Sequence, residues 1–253
     1  MVFIESSLIF VIGLLLGSFS TALSYRVPRK MSWGAVRSAC PSCKTPLGVL
    51  QLIPVLSWAF SKGKCSFCKS PISAFYPLSE IVCGLLCLGV YFVYGLNVEG
   101  LIIIAAIPFL VSLFLIDIRH MILPNQLVFI LLVIGIARLI YYSTQDVFGG
   151  VEDMAIPYLL GAAVFSFVSW CIGFVMTRVL KKDALGMGDV KFFMVSGIWL
   201  GLDALGLFMI LSGCIGVAFS VIWRVVTGSQ KFPFGPALIL SFYILLLLQG
   251  SLL

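Results

Sequence analysis

The chain has 253 residues, of which 61% are hydrophobic and 10% charged, and its mean hydropathy is +1.17. Soluble domains run nearer about 45–50% apolar and about 25% charged, so a water-soluble globule and a disordered chain are both excluded. The 16 basic residues against 10 acidic ones leave +6. In a polytopic membrane protein that surplus reports topology, and no nucleic-acid partner is implied.

The first apolar run, residues 3–25, has no basic region before it and no small-residue cleavage site after it, which predicts a retained transmembrane helix rather than a signal peptide. Residues 26–76 break the pattern. They carry Arg26, Arg29, Lys30, Arg37, Lys44, Lys62, Lys64 and Lys69 with no acid, and they read as a small polar, basic, Cys-bearing domain with few large apolar side chains. Seven further apolar runs follow at 77–96, 100–118, 125–142, 154–178, 188–200, 203–223 and 232–252. Their lengths approach the roughly 20 residues a spanning helix needs, and the sixth of the eight is short. The turns are marked by Asn97 to Gly100, by Gly149-Gly150 with nearby acids, and by Gly228-Ser229. The predicted fold is an all-α membrane protein of about eight transmembrane helices, divided as residues 1–25, 26–76 and 77–253.

Charge fixes the orientation. With the N-terminus outside, the cytosolic turns also receive Arg119, Arg178, Lys181, Lys182, Lys191, Arg224 and Lys231, so 8 + 7 = 15 of the 16 basic residues lie inside and only Arg138 falls toward the other face. The outer face receives Glu5, Glu99, Asp146, Glu152, Asp153 and Asp203. The positive-inside rule therefore predicts both termini outside the cytosol.

Within 26–76 stand Cys40-Pro41-Ser42-Cys43 and Cys65-Ser66-Phe67-Cys68. Two C-x2-C knuckles converging on one point suit a tetrahedral Zn2+ held by four thiolates. Two disulfides are the alternative, but they need an oxidising compartment, and the charge count puts this segment in the cytosol. A segment so small needs a metal to hold it. A closed four-Cys site has no open coordination position, so it is structural. The other cysteines, Cys83, Cys87, Cys171 and Cys214, lie in apolar runs, where Cys is a small hydrophobe.

Carboxylates at membrane depth are costly and carry function by default. Asp117 ends the third run, and Asp189 opens the sixth in Gly186-Met187-Gly188-Asp189-Val190-Lys191. The topology puts both at the cytosolic ends of their spans. Two carboxylates facing each other share a proton, one serving as base on water and the other as acid toward a substrate carbonyl. That chemistry is aspartic-protease chemistry. Taken singly, a helix N-cap for Asp189 and a pairing of Asp117 with Arg119 would also account for them. Glu80 after Tyr76-Pro77 suggests capping or an interfacial role, His120 an incidental interfacial residue, and Lys181, Lys182 and Asp183 a solvated turn. Acids at span centres with inverted repeats would instead suggest a transporter, and neither occurs.

The chain resembles the bacterial type IV prepilin peptidases over nearly its whole length. The resemblance rests on Gly17-Ser18-Phe19, Tyr25-Arg26-Val27-Pro28, the two Cys knuckles and Ile53-Pro54-Val55-Leu56-Ser57-Trp58. It continues through Tyr76-Pro77-Leu78-Ser79-Glu80, Asp117 with Leu123-Pro124-Asn125, the Gly-x-Gly-Asp run ending at Asp189, and Pro233-Phe234-Gly235-Pro236. It implies a multi-pass inner-membrane enzyme that removes the basic leader of prepilins or pseudopilins at the cytosolic face. The same enzyme would then methylate the new N-terminal residue with S-adenosylmethionine. Asp117 and Asp189 match the family's catalytic pair, and Asn125 stands where many members have Asp. No Gly-x-Gly-x-x-Gly turn marks a methyl-donor site.

Overall fold

The computed structural model describes residues 2–34, 37–144, 151–181 and 185–252. The predicted turn at Gly149-Gly150, Asp146, and Lys182 with Asp183 lie outside the described residues, as do the side chains of Glu152 and Asp153. Among the described residues the fold is helical, with no strand and only two isolated bridges, Ala39 to Pro46 and Lys64 to Pro71. The helices are α1 (Val2–Arg26), α2 (Leu56–Phe60), α3 (Phe75–Tyr94), α4 (Val98–His120), α5 (Asn125–Thr144), α6 (Val151–Leu180), α7 (Met187–Leu200), α8 (Leu205–Thr227) and α9 (Gly235–Leu252).

Six of them, α1, α3, α4, α5, α6 and α8, contain stretches long and apolar enough to cross a membrane. The two remaining runs of the predicted eight fold as shorter apolar helices. The α7 helix has 14 residues because Gly201, at φ +78°, ends it. The α9 helix starts only at Gly235, after Pro233, with Pro236 in its first turn where a missing N–H costs nothing. Other boundaries follow the same local logic. Asn97 caps α4 by accepting the Gly100 N–H at 2.8 Å, and Gly95 closes α3 at φ +73°.

The chain forms two compact units, Met1–Leu115 and Ile116–Leu253. In the first, α1 and α3 pack through small residues. A Cβ on Gly13 would overlap the Gly84 Cα at 2.6 Å, and one on Gly17 would overlap the Glu80 Cα at the same distance. This four-residue spacing of glycines lets two backbones meet where hydrophobicity alone provides no drive. The Ser112 hydroxyl of α4 donates to the Ser20 carbonyl of α1 at 3.2 Å.

The second unit is built around α7. Gly161 of α6 faces Gly197 of α7, and a Cβ on Gly161 would meet the Gly197 carbonyl oxygen at 2.8 Å. Trp199 is fully buried. Its ring rests where Gly135 of α5 leaves space, and its Nε1–H donates to the Leu131 carbonyl at 3.0 Å. Phe242 of α9 meets both Phe192 and Trp199 edge-on, and Phe208 of α8 meets Phe193 and Phe165.

The last carbonyls of α7 end among apolar neighbours and need donors. Arg138 of α5, 3% exposed, donates to the Trp199 carbonyl at 2.9 Å. Gln249 of α9 donates to the Leu200 carbonyl at 2.8 Å. A cation at a helix C-terminus also meets the negative end of the macrodipole. The one basic residue that the charge count sends to the far side thus closes the helix that carries Asp189.

Candidate active site

Asp117 sits one turn from the end of α4 and is 4% exposed. Asp189 is the third residue of α7 and is half-buried. The short connection from His120 to α5 brings the two together. Leu123 of that connection lies against Gly188, where a Cβ would meet its Cβ at 3.0 Å. The same Leu123 lies against Gly235, where a Cβ would meet its Cδ2 at 3.0 Å. Asp117 in turn touches Gly235. Leu123 thus lies between the glycine that precedes Asp189 and the glycine that Asp117 touches, and the two acids are near enough for the Asp117 charge to reach Asp189.

Each carboxylate has one oxygen tied to backbone. Asp117 Oδ2 accepts the Gly235 N–H at 2.8 Å, at the first residue of α9. Asp189 Oδ2 accepts the Gly186 N–H at 3.3 Å, at the N-cap of α7. The helix N-terminus supplies a free donor and the positive end of a dipole, both suited to an anion. Gly235 must be glycine for this contact, since a Cβ would fall 2.6 Å from Asp117 Oδ2. Lys191 of α7 donates to Asn125 Oδ1 at 2.8 Å, tying the starts of α7 and α5 together. His120 is exposed at the end of α4.

The helix-cap reading of Asp189 is realised. Asp117 caps a different helix, through a contact 118 residues distant in sequence. That contact was missed by sequence reasoning. Its only trace is the Pro233-Phe234-Gly235-Pro236 run, where prolines flank a glycine at a helix start.

The four knuckle cysteines converge. Their sulfurs all lie within 4.8 Å of one another, and Cys40 Sγ is 3.9 Å from Cys68 Sγ. Four sulfurs at about 2.3 Å from a tetrahedral zinc are about 3.8 Å apart, so the set fits that ion. The two knuckles are built alike. Cys40 N–H donates to the Thr45 carbonyl at 3.0 Å and Cys65 N–H to the Ser70 carbonyl at 2.8 Å. Lys44 and Lys69 both take φ +60°. Thr45 Oγ1 lies 3.2 Å from Cys43 Sγ, and Ser70 Oγ lies 3.1 Å from Cys68 Sγ. The Cys43 and then the Ser42 backbone N–H pull the Cys40 thiol down to about 6, and the Ser70 hydroxyl and N–H lower that of Cys68. The backbone N–H groups of Cys68 and Phe67 act on the Cys65 thiol in the same sense, but burial and the neighbouring Cys40 and Cys68 raise it overall, so the turns favour thiolate at Cys40 and Cys68. None of the eight cysteines is in a disulfide. Purified protein is expected to carry about one zinc per chain by elemental analysis. Cys65→Ser is expected to lose the metal and to speed proteolysis within residues 26–76. Absence of metal, or two disulfides in protein taken from intact cells, would contradict the site.

Glu80 is also inside, 7% exposed. Its Oε2 accepts the Val55 N–H at 2.8 Å, and it is hydrogen-bonded to the Ser18 hydroxyl. Glu80 thus satisfies the N-cap donor of α2, 25 residues earlier in the chain.

Two family models match the chain. The Bacterial Peptidase A24 N-terminal domain matches residues 11–94, which hold the four cysteines. The Type IV leader peptidase family matches residues 104–221, which hold both acids. The chain is 32% identical to the prepilin leader peptidase/N-methyltransferase of Neisseria gonorrhoeae, over 95% of this chain and 90% of that protein. It is 33% identical to the protein of the same name from Bacillus subtilis, over 92% and 90%. It is 30% identical to the type 4 prepilin-like proteins leader peptide-processing enzyme of Escherichia coli O78:H11, over 90% and 88%. No solved structure matches the chain.

Proposed function

We infer that this chain, which belongs to the type IV leader peptidase family, is a membrane endopeptidase and methyltransferase whose peptidase centre is Asp117 with Asp189. It removes the leader of prepilins or pseudopilins and methylates the amine so exposed. One observation carries the assignment of the centre. Each acid spends one oxygen on a backbone N–H and keeps the other for chemistry.

The pair holds one proton between the free oxygens. The ionised member takes a proton from water, which attacks the scissile carbonyl. The protonated member gives its proton to the carbonyl oxygen. The tetrahedral intermediate then collapses: the leaving amine takes a proton from the first acid, a hydroxyl of the gem-diol returns its proton to the second acid as the new carboxyl group forms, and the dyad again holds one proton. The Gly235 and Gly186 donors hold the side chains in place through this exchange.

The zinc site fits a structural ion and takes no part in these steps. S-adenosylmethionine, implied by the methyltransferase activity, supplies an electrophilic methyl group when bound. No glycine-rich turn in the sequence locates it.

The charge distribution supports an inner-membrane orientation with both termini in the periplasm and the dyad at the cytosolic face. A single experiment tests activity and orientation together. A synthetic prepilin-type peptide with a basic leader is added outside sealed vesicles, and product masses are read with and without methyl donor. Inverted vesicles should cut it and, with donor, add one methyl group. Right-side-out vesicles should leave it intact. Cutting only in right-side-out vesicles would reverse the orientation, and cutting in neither would remove the peptidase assignment.

A further inference from the structure

Composition averaged over residues 26–76 makes that segment look polar throughout, and the structure corrects this. From Thr45 to Ser61 the chain has no charged residue, and Lys44 and Lys62 border this stretch. It folds as a 3-10 turn, Val49–Leu52, followed by α2. Its apolar side chains point outward. Phe60 is 84% exposed, Val49 82% and Leu50 74%, and Leu52, Ile53 and Leu56 are exposed as well. In water such a patch would be a liability.

Its position says where it goes. Val55, in the middle of the stretch, is hydrogen-bonded to Glu80 at 2.8 Å. Glu80 lies about 7 Å inside the start of α3 at 1.5 Å per residue, and its partner Ser18 lies about 12 Å before the end of α1. The stretch therefore returns from the cysteine knuckles to a level well inside the two spans that flank it. Irregular backbone at such a level needs internal partners for its polar groups. Several are in place. Val55 N–H goes to Glu80, Gly48 N–H goes to Gln51 Oε1 at 3.0 Å, and Pro54 has no N–H. Val55 holds φ +58°, a conformation that a β-branched residue adopts only when its surroundings enforce it.

We propose that residues 45–61 form an interfacial element that dips into the cytosolic leaflet of the membrane. Val49, Leu50, Leu56 and Phe60 lie among the acyl chains, and Lys44 and Lys62 lie at anionic headgroups. The occupant of this apolar face is lipid. An uncharged apolar stretch bracketed by lysines and tethered at span depth matches the layering of an interface. This goes beyond the peptidase reading and does not depend on it.

The test uses the full chain in vesicles of phosphatidylglycerol and phosphatidylethanolamine. Phe60→Trp and Leu50→Trp each add one emitter at an exposed position, and the parent spectrum is subtracted. Acyl-chain-brominated lipids should remove most of the added emission, and acrylamide should remove little. Quenching by acrylamide with no effect of bromine would place the stretch in water. Protection from both would mean that protein covers it, a second copy or a substrate helix. Either result overturns the proposal, while the cleavage assay is read separately and leaves the function of the dyad to its own test.

Discussion

Asp117→Asn and Asp189→Asn are each expected to lower prepilin cleavage by about 10^4-fold or more, the scale on which single members of a cooperating catalytic set fail. The amide keeps the size of the side chain and its ability to accept the Gly235 or Gly186 N–H, so the helix starts stay capped. What is lost is the proton. An amide neither takes one from water nor gives one to the carbonyl, and the remaining acid has no partner with which to share. Both variants should insert and fold as the parent does, judged by thermal unfolding and size-exclusion in detergent. Methylation offers an internal control. A peptide supplied already cut should still be methylated by either variant, because neither acid is assigned to that step. Near-parental cleavage by one variant would remove that residue from the pair. The parent's pH profile should be bell-shaped, its two limbs belonging to the dyad as a whole.

Gly197→Leu should leave little folded enzyme. A Cβ at that position runs into the backbone of Gly161 and Ala162, which cannot rotate aside as a side chain does. Over-packing a core typically costs about 1–3 kcal/mol, and forcing two helix backbones apart exceeds that range. The control is Gly213→Ala in α8, where a Cβ meets nothing within 4 Å. It should unfold at the parental temperature or slightly above, since alanine is the better helix former. Equal stability of the two variants would mean that α6 and α7 do not meet backbone to backbone. A stable Gly197→Leu protein with normal cleavage would mean that this contact does not hold α7, and with it Asp189, in place.

The helices were legible because an apolar run of spanning length is a strong signal. All eight runs fold as helices within a few residues of their expected ends. Their lengths were less legible. Nothing in the hydropathy of residues 232–252 shows that Gly235 begins the helix, because that start is set by prolines and by the Asp117 carboxylate. Both acids were readable as acids at membrane depth. Their tethers were not, since a backbone N–H has no sequence signature. Arg138 was visible only as a charge on the wrong side, and its contact with Trp199 lies 61 residues away. The window that reveals spans also hid the uncharged stretch at 45–61, because eight basic residues in the same segment outweighed it in the average.

The α7 helix is about 21 Å long at 1.5 Å per residue, shorter than a hydrocarbon core of about 30 Å. Its far end is held by Arg138 and Gln249. A helix that crosses fully must tilt or bend when the lipid thickens or thins around it. The far end of this one is tied to α5 and α9, so the height of Asp189 is set against those helices as well as against the lipid. Changes in fatty-acid length, as when cells adapt to temperature, would then be absorbed more by the helices that cross fully than by α7, and would shift the cutting position on a substrate less.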